Sequence, residues 1–267
     1  MIKKIVFAGC SITAGTELWE EKFVPQYTAM NVFQAGKATR SASDEQINEY
    51  NKQYCYPSLV GNLLNAEIEN IALRGISNKE IAMRAILKFP ENHYDDTVAV
   101  IQMTTHNRLL VNYSNNLVNS AVLQPNWPTH FLNSRQNNIM QEFFLEFFNE
   151  SLTMVEDYVS VLYAVRLLRS KNIPCYLLRI SPTKLNQPLE EPHLKGQEVD
   201  LIVNEKDPIL LNDIQQQLLK EFYDFKLTAK SLEEITNADY LPQWHFTQSG
   251  HDLIAKDLAE KIKCLHF

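Results

Sequence analysis

Two short, uninterrupted apolar runs most constrain what this chain can fold into. Ile5, Val6 and Phe7 lead into Gly9, and TVAVIQM (97–103) is continuous and rich in β-branched residues. Runs of that length without polar alternation suit strands covered on both faces. Two further strands are read at Glu67 to Ala72 and at Ile173 to Ile180. Helical spacing fills the intervals. Ile81, Ala82, Ala85 and Ile86 recur on one face of 78–88, and Leu253, Ile254, Leu258 and Ile262 on one face of 248–263. YPSLVGNLLNA (56–66), the stretch 140–171 and a segment near 208–222 also read as helices. Strands alternating with helices predict an α/β protein, a three-layer αβα sandwich around a central, mainly parallel sheet.

The chain has 267 residues, enough for one large α/β domain or two small ones. There is no internal repeat and no convincing linker, so one domain over 1–267 is expected, with insertions near 16–54, 105–138 and 184–208. The first of these is polar and reads as a long surface loop. Asn- and Pro-rich sequence from 112 to 138 reads as an excursion rather than a sheet element. Apolar residues at 45% and charged residues at 21% are ordinary for a soluble globular chain.

Charge and cysteine content narrow the function classes. A formal charge of -7 argues against a nucleic-acid surface, which needs clustered Lys and Arg. The apolar stretch after Lys3 and Lys4 stops at Gly9, too short for a signal-peptide core, and nothing reaches membrane-spanning length. The expected location is cytoplasmic. Cys10, Cys55, Cys175 and Cys264 show no CxxC or Cys/His ligand spacing, so free thiols are expected, with no metal and no organic cofactor.

In parallel sheets the ligand site lies beyond the carboxyl ends of the strands. GCSITAG (9–15), LRGISN (73–78) and MTTHNR (103–108) each follow a predicted strand. Serine needs a base to take its proton and fixed donors for the developing oxyanion. Ser11 stands where a strand-to-helix turn would lift its hydroxyl above the sheet. His245 and His251 in HFTQSGH (245–251) are the histidines delivered from the far end of the chain. Gly9, Gly15, Gly75 and Gly250 are four of only seven glycines, and all fall in these segments. Ser11 is preferred over Cys10 as nucleophile, because a catalytic cysteine wants a lowered pKa and its own histidine. His251 and Asn70 read as structural.

GCSITAG resembles the first block of the SGNH, or GDSL-like, hydrolases, G-D-S-x-T-x-G. NIALRG (70–75) resembles their second block, and HFTQSGH their last, with the three in the expected order. The resemblance implies the SGNH, flavodoxin-like fold and a serine-dependent hydrolase of acyl or acetyl esters acting through an acyl-enzyme. It also implies Ser11 as nucleophile, His245 as base and the Gly75 N–H in the oxyanion hole. The family's Asp beside the nucleophile is Cys10 here. Its third block reads T-T-H-N (104–107), which makes Asn107 or His106 the oxyanion side chain. Arg108 and Asn78 become substrate-side groups. The family's acid, three residues before the histidine, is Pro242, so Asp239 becomes the candidate acid. The implied partner is a small-molecule, glycan or lipid ester. Acyl transfer to a hydroxyl acceptor and a catalytically silent binding protein are the alternatives.

Overall fold

The computed structural model describes residues 2–24, 43–90, 94, 96–104, 109–112, 120–123, 150–180, 214, 217–218, 220–228, 230–241 and 245–265. The continuous apolar runs form the sheet interior. Strands β1 (Lys4–Ala8), β2 (Glu67–Asn70), β3 (Thr97–Gln102) and β6 (Cys175–Leu178) pair in the order β2-β1-β3-β6, all parallel. Phe7 lies between Asn70 and Val100, and Ala99 pairs with Cys175. Every residue of β3 is buried, as the absence of polar alternation requires. Each Val or Ile so buried contributes about 1.5–3 kcal/mol relative to exposure. Leu227 N donates to Leu177 O and Leu177 N to Phe225 O, extending the sheet beyond β6.

Helices form two layers. Helix α4 (Asn78–Lys88) packs on α5 (Glu150–Ser170) and against β1 and β3. Helix α3 (Tyr56–Leu64) packs on α7 (Gln248–Lys263), which also meets the short α6 (Leu232–Thr236). The Phe7 ring of β1 meets Tyr56 of α3 edge-on at 5.8 Å. The bounds of α4 and α7 coincide with the sequence expectation, because Ser77 and Thr247 cap them by accepting the amides of Glu80 and Gly250. The architecture is the αβα sandwich expected from the sequence.

Two readings need correction. The stretch taken for a long loop holds α1 (Leu18–Phe23) and α2 (Asp44–Tyr54) within its described part. Its start signal was present, since Ser43 and Gln46 close a reciprocal capping box. Within the supposed excursion, β5 (Ser120–Leu123) pairs antiparallel with β4 (Leu109–Asn112). Two apolar tetrapeptides, LLVN and SAVL, supply that hairpin despite their Asn-rich surroundings. The long helix is described from Glu150, and of the helix expected near 208–222 positions 214, 217, 218 and 220–222 are helical, as are 223 and 224 beyond it. The 184–208 segment lies outside the described residues.

Candidate active site

After β1 the chain makes a compact spiral rather than entering a helix at once. Ala14 N donates to Cys10 O, Gly15 N to Ile12 O and Thr16 N to Ser11 O. The spiral is tight. A Cβ on Gly9 would lie 2.1 Å from Thr13 Oγ1, so only glycine fits. Gly15 turns at φ +72, where a Cβ would meet Cys55 Cβ at 2.7 Å. Thr13 Oγ1 donates to Gln102 Oε1 at 2.7 Å, which leaves it to accept from the Tyr56 hydroxyl at 3.0 Å. Burial pushes the Tyr56 phenol up, keeping that donor protonated. Cys10 Sγ donates to the same Gln102 oxygen at 3.4 Å, so Cys10 faces the sheet and not the site. The second loop is tied on by Asn70, whose Nδ2 donates to Thr13 O at 2.9 Å, and by Leu73 N donating to Gly9 O.

Ser11 emerges from this spiral nearly buried, with Oγ 2.8 Å from His245 Nε2. These residues are 234 positions apart in sequence. His245 is held by its own loop: Leu241 N donates to His245 O, and Phe246, fully buried, stacks on Tyr240 at 4.9 Å. The other ring nitrogen, Nδ1, is 2.8 Å from Glu17 Oε2. A carboxylate only accepts, so Nδ1 carries the proton and Nε2 presents its lone pair to the serine hydroxyl. The three side chains form a continuous chain of hydrogen bonds.

Glu17 was not among the residues singled out from the sequence. It is 1% exposed, and its backbone is left-handed at φ 72, ψ -4 just before α1. A non-glycine residue there costs about 1–3 kcal/mol and persists only where its surroundings hold it. The conformation turns the carboxylate inward to the histidine instead of leaving it on the helix surface. Asp239 is corrected accordingly. Its carboxylate accepts from Thr247 Oγ1 at 2.7 Å, while its carbonyl accepts Thr247 N. It braces the cap of α7 behind His245 and does not face the ring nitrogen.

Asn78 is also corrected. It is fully buried; Nδ2 donates to Thr104 O and Asp157 Oδ2, and Oδ1 accepts Thr104 N at 2.8 Å. These bonds join α4, α5 and the end of β3, so the amide is engaged within the protein rather than presented to substrate. Gly75 sits exposed in a turn at φ +71. His106, Asn107 and Arg108 lie outside the described residues. His251 is structural: its Nδ1 accepts Tyr56 N at 3.0 Å, satisfying the first amide of α3. Burial, and then the nearby His245, push it down to about 3, so it stays neutral.

No family model matches the chain, and no curated protein does. Solved structures do. A carbohydrate esterase whose active site displays divergent catalytic and non-catalytic binding functions is similar over 98% of this chain and 69% of its own, at 13% identity and TM-score 0.51. A member of the lipolytic protein G-D-S-L family from Veillonella parvula DSM 2008 matches over 99% and 100%, at 13% identity and TM-score 0.46. A carbohydrate acetylesterase from Sinorhizobium meliloti matches over 99% and 100%, at 12% identity and TM-score 0.44. The fold is therefore that of the SGNH, or G-D-S-L, hydrolases. On this fold the chain carries GCSIT at the Ser11 loop and a glutamate from that same loop on the histidine.

Proposed function

We propose that the protein is a serine-dependent hydrolase of carboxylic esters. One observation carries this reading: Ser11, His245 and the strained, buried Glu17 are aligned through two 2.8 Å contacts at the carboxyl end of the sheet. His245 Nε2 takes the Ser11 proton as Oγ attacks the acyl carbonyl. Glu17 holds the imidazole in the tautomer that can accept that proton, and stabilises the imidazolium formed. The Ser11 and Gly75 backbone N–H groups are the proposed oxyanion donors, with a side chain of residues 106–107 completing the set. Protonated His245 then gives its proton to the departing alcohol, leaving an acyl-Ser11 ester. Water, deprotonated by the same nitrogen, attacks that ester and restores the serine.

The test is turnover of a short-acyl nitrophenyl ester, together with intact-mass detection of a phosphonylated adduct after treatment with a fluorophosphonate. The expected result is turnover and a single adduct in the native protein, both lost in Ser11→Ala. Turnover no greater than that of Ser11→Ala would overturn the hydrolase reading and favour a silent binding protein. Acyl product appearing on an added sugar faster than on water would make the protein a transferase.

A further inference from the structure

The segment that carries His245 runs straight into α7, and the first turn of that helix is held from outside. The leading amides of a helix have no partner within it. Thr247, the cap, takes the amide of Gly250. The amide of Gln248 goes instead to α1, donating to Glu21 Oε2 at 2.7 Å. Glu21 lies one helical turn beyond Glu17, and its own N–H donates to Glu17 O at 2.9 Å. The contacts therefore close a ring. Glu17 grips the His245 imidazole at 2.8 Å, α1 carries the link to Glu21, and Glu21 grips the backbone just beyond His245. The Gln248 side chain adds a tie to the end of α2, its Nε2 donating to Tyr54 O at 3.2 Å.

Two grips do what one does not. A single contact between side chains leaves α1 able to pivot about it, and α1 is a helix of six residues whose cap residue makes no side-chain bond to its own first turn. The bond from Trp19 N to Asn51 Oδ1 and the rings of Trp19, Phe23 and Tyr50 fasten α1 to α2. The Glu21 bond fastens it to the chain that delivers the histidine. A carboxylate suits the first turn of a helix, where the macrodipole favours it and a charged acceptor makes the stronger bond to an amide. The position is otherwise unfavourable for an acid. Burial pushes the Glu21 carboxyl up, the Gln248 amide draws it back, and Asp239, Asp252 and Glu17 push it up again. Three neighbouring acids repel it, so the bond to α7 is what holds the charge in place.

We infer that Glu21 is a positioning residue for the reacting array: by holding the Gln248 amide it keeps α1 where Glu17 meets His245 Nδ1. Its effect on rate rests on the hydrolase reading, and its effect on the histidine ring does not. Four variants separate the bond from its surroundings. Glu21→Ala removes the acceptor, and Gln248→Pro removes the donor at the first helical position, where proline is tolerated. Glu21→Gln keeps an oxygen for the amide, and Gln248→Ala keeps the amide while losing the side-chain ties. Deleting the bond from both ends keeps the test open should melting curves show one variant unfolded. Ring-nitrogen NMR at about pH 8, where the imidazole is neutral, reads which nitrogen carries the proton, the His245 signals being assigned by their loss in His245→Gln. The native protein, Glu21→Gln and Gln248→Ala should hold His245 in the Nδ1–H form. Glu21→Ala and Gln248→Pro should shift it towards a mixture with the Nε2–H form, and should lower kcat on nitrophenyl acetate by about tenfold with KM within about twofold. A native tautomer or, where ester is turned over, a native kcat in either folded deletion variant overturns the inference. Equal losses in Glu21→Gln and Glu21→Ala, or a native ring in the Nε2–H form, overturn it too. The expected tautomer shift in a protein that never turns over ester keeps the positioning role and overturns the hydrolase reading instead.

Discussion

Glu17→Gln isolates the feature on which the proposed mechanism most depends. The substitution keeps the length, the positive-φ backbone and an oxygen able to accept from His245 Nδ1. It removes only the charge. When His245 takes the serine proton, an imidazolium forms beside a carboxylate whose side chain is 2% exposed, at an N···O distance of 2.8 Å. At an effective dielectric constant of about 20 and a charge separation of about 4 Å, that attraction is worth roughly 4 kcal/mol. The same figure is a factor of about 10³ in rate. The amide can also flip to donate to Nδ1, which would place the ring proton on Nε2 and block the base. The expected result is therefore a fall in kcat of about 10²–10⁴, with KM little changed. Initial rates on a short-acyl nitrophenyl ester should be read from pH 5 to 9. Asp239→Asn is the control, expected to stay within about tenfold of native while lowering Tm by roughly 2–4 °C through the Thr247 cap. If Glu17→Gln retained a third of native kcat, or Asp239→Asn cost more, the assignment of the acid would be wrong.

Three other outcomes follow from the same geometry. His251 is held at about 3 when folded and titrates near 6.5 when unfolded, so between those values only the unfolded chain binds the proton. Stability should thus fall as pH drops from 6.5 towards 3, by at most about 5 kcal/mol, and urea unfolding of His251→Gln should show a shallower pH slope. Gly9→Ala places a methyl group against Thr13 and should cost about 1–3 kcal/mol of unfolding free energy, read in denaturant, with loss of ester turnover as Ser11 shifts. Of the four cysteines only Cys264 is exposed, and burial pushes the Cys175 thiol up to about 12, so a disulfide reagent should titrate one thiol promptly in the native protein and four in denaturant.

The parts of the fold legible in the sequence were those governed by local, one-dimensional signals. Continuous apolar runs gave the central strands β1 and β3, and capped amphipathic segments gave α4 and α7 to the residue. Ser11 and His245 were legible because each sits in a block whose neighbours must form a turn, and the structure brings the two within 2.8 Å. Helix α2 was hidden because its inward residues are Ile47 and Asn51, a face half polar and braced by Tyr50 and Tyr54 rather than by aliphatics. Glu17 was hidden for a deeper reason. In T-E-L-W-E-E nothing distinguishes the carboxylate that reaches the histidine from the two beside it, since its place depends on a left-handed φ and on a ring 228 residues away. Asn78 failed the opposite way: a polar residue after a site loop reads as a ligand group until its bonds to Thr104 and Asp157 are seen.

Placing the acid on the nucleophile's own loop changes how this site can vary. With an acid beside the histidine, the imidazole and its carboxylate would move together on one loop. Here Glu17 and Ser11 share the spiral after β1, and His245 bridges both from the other end of the chain, so the 239–247 loop must deliver only a ring. That accounts for the double use of Asp239 and Thr247 as braces and for Pro242 at a position where no carboxylate is needed. It also makes the chemistry depend on α1, because Glu17 immediately precedes that helix. A displacement of α1 by a fraction of a turn would withdraw the acid from His245. Substitutions that loosen the tie from Trp19 N to Asn51 Oδ1 should therefore lower kcat on a short-acyl nitrophenyl ester.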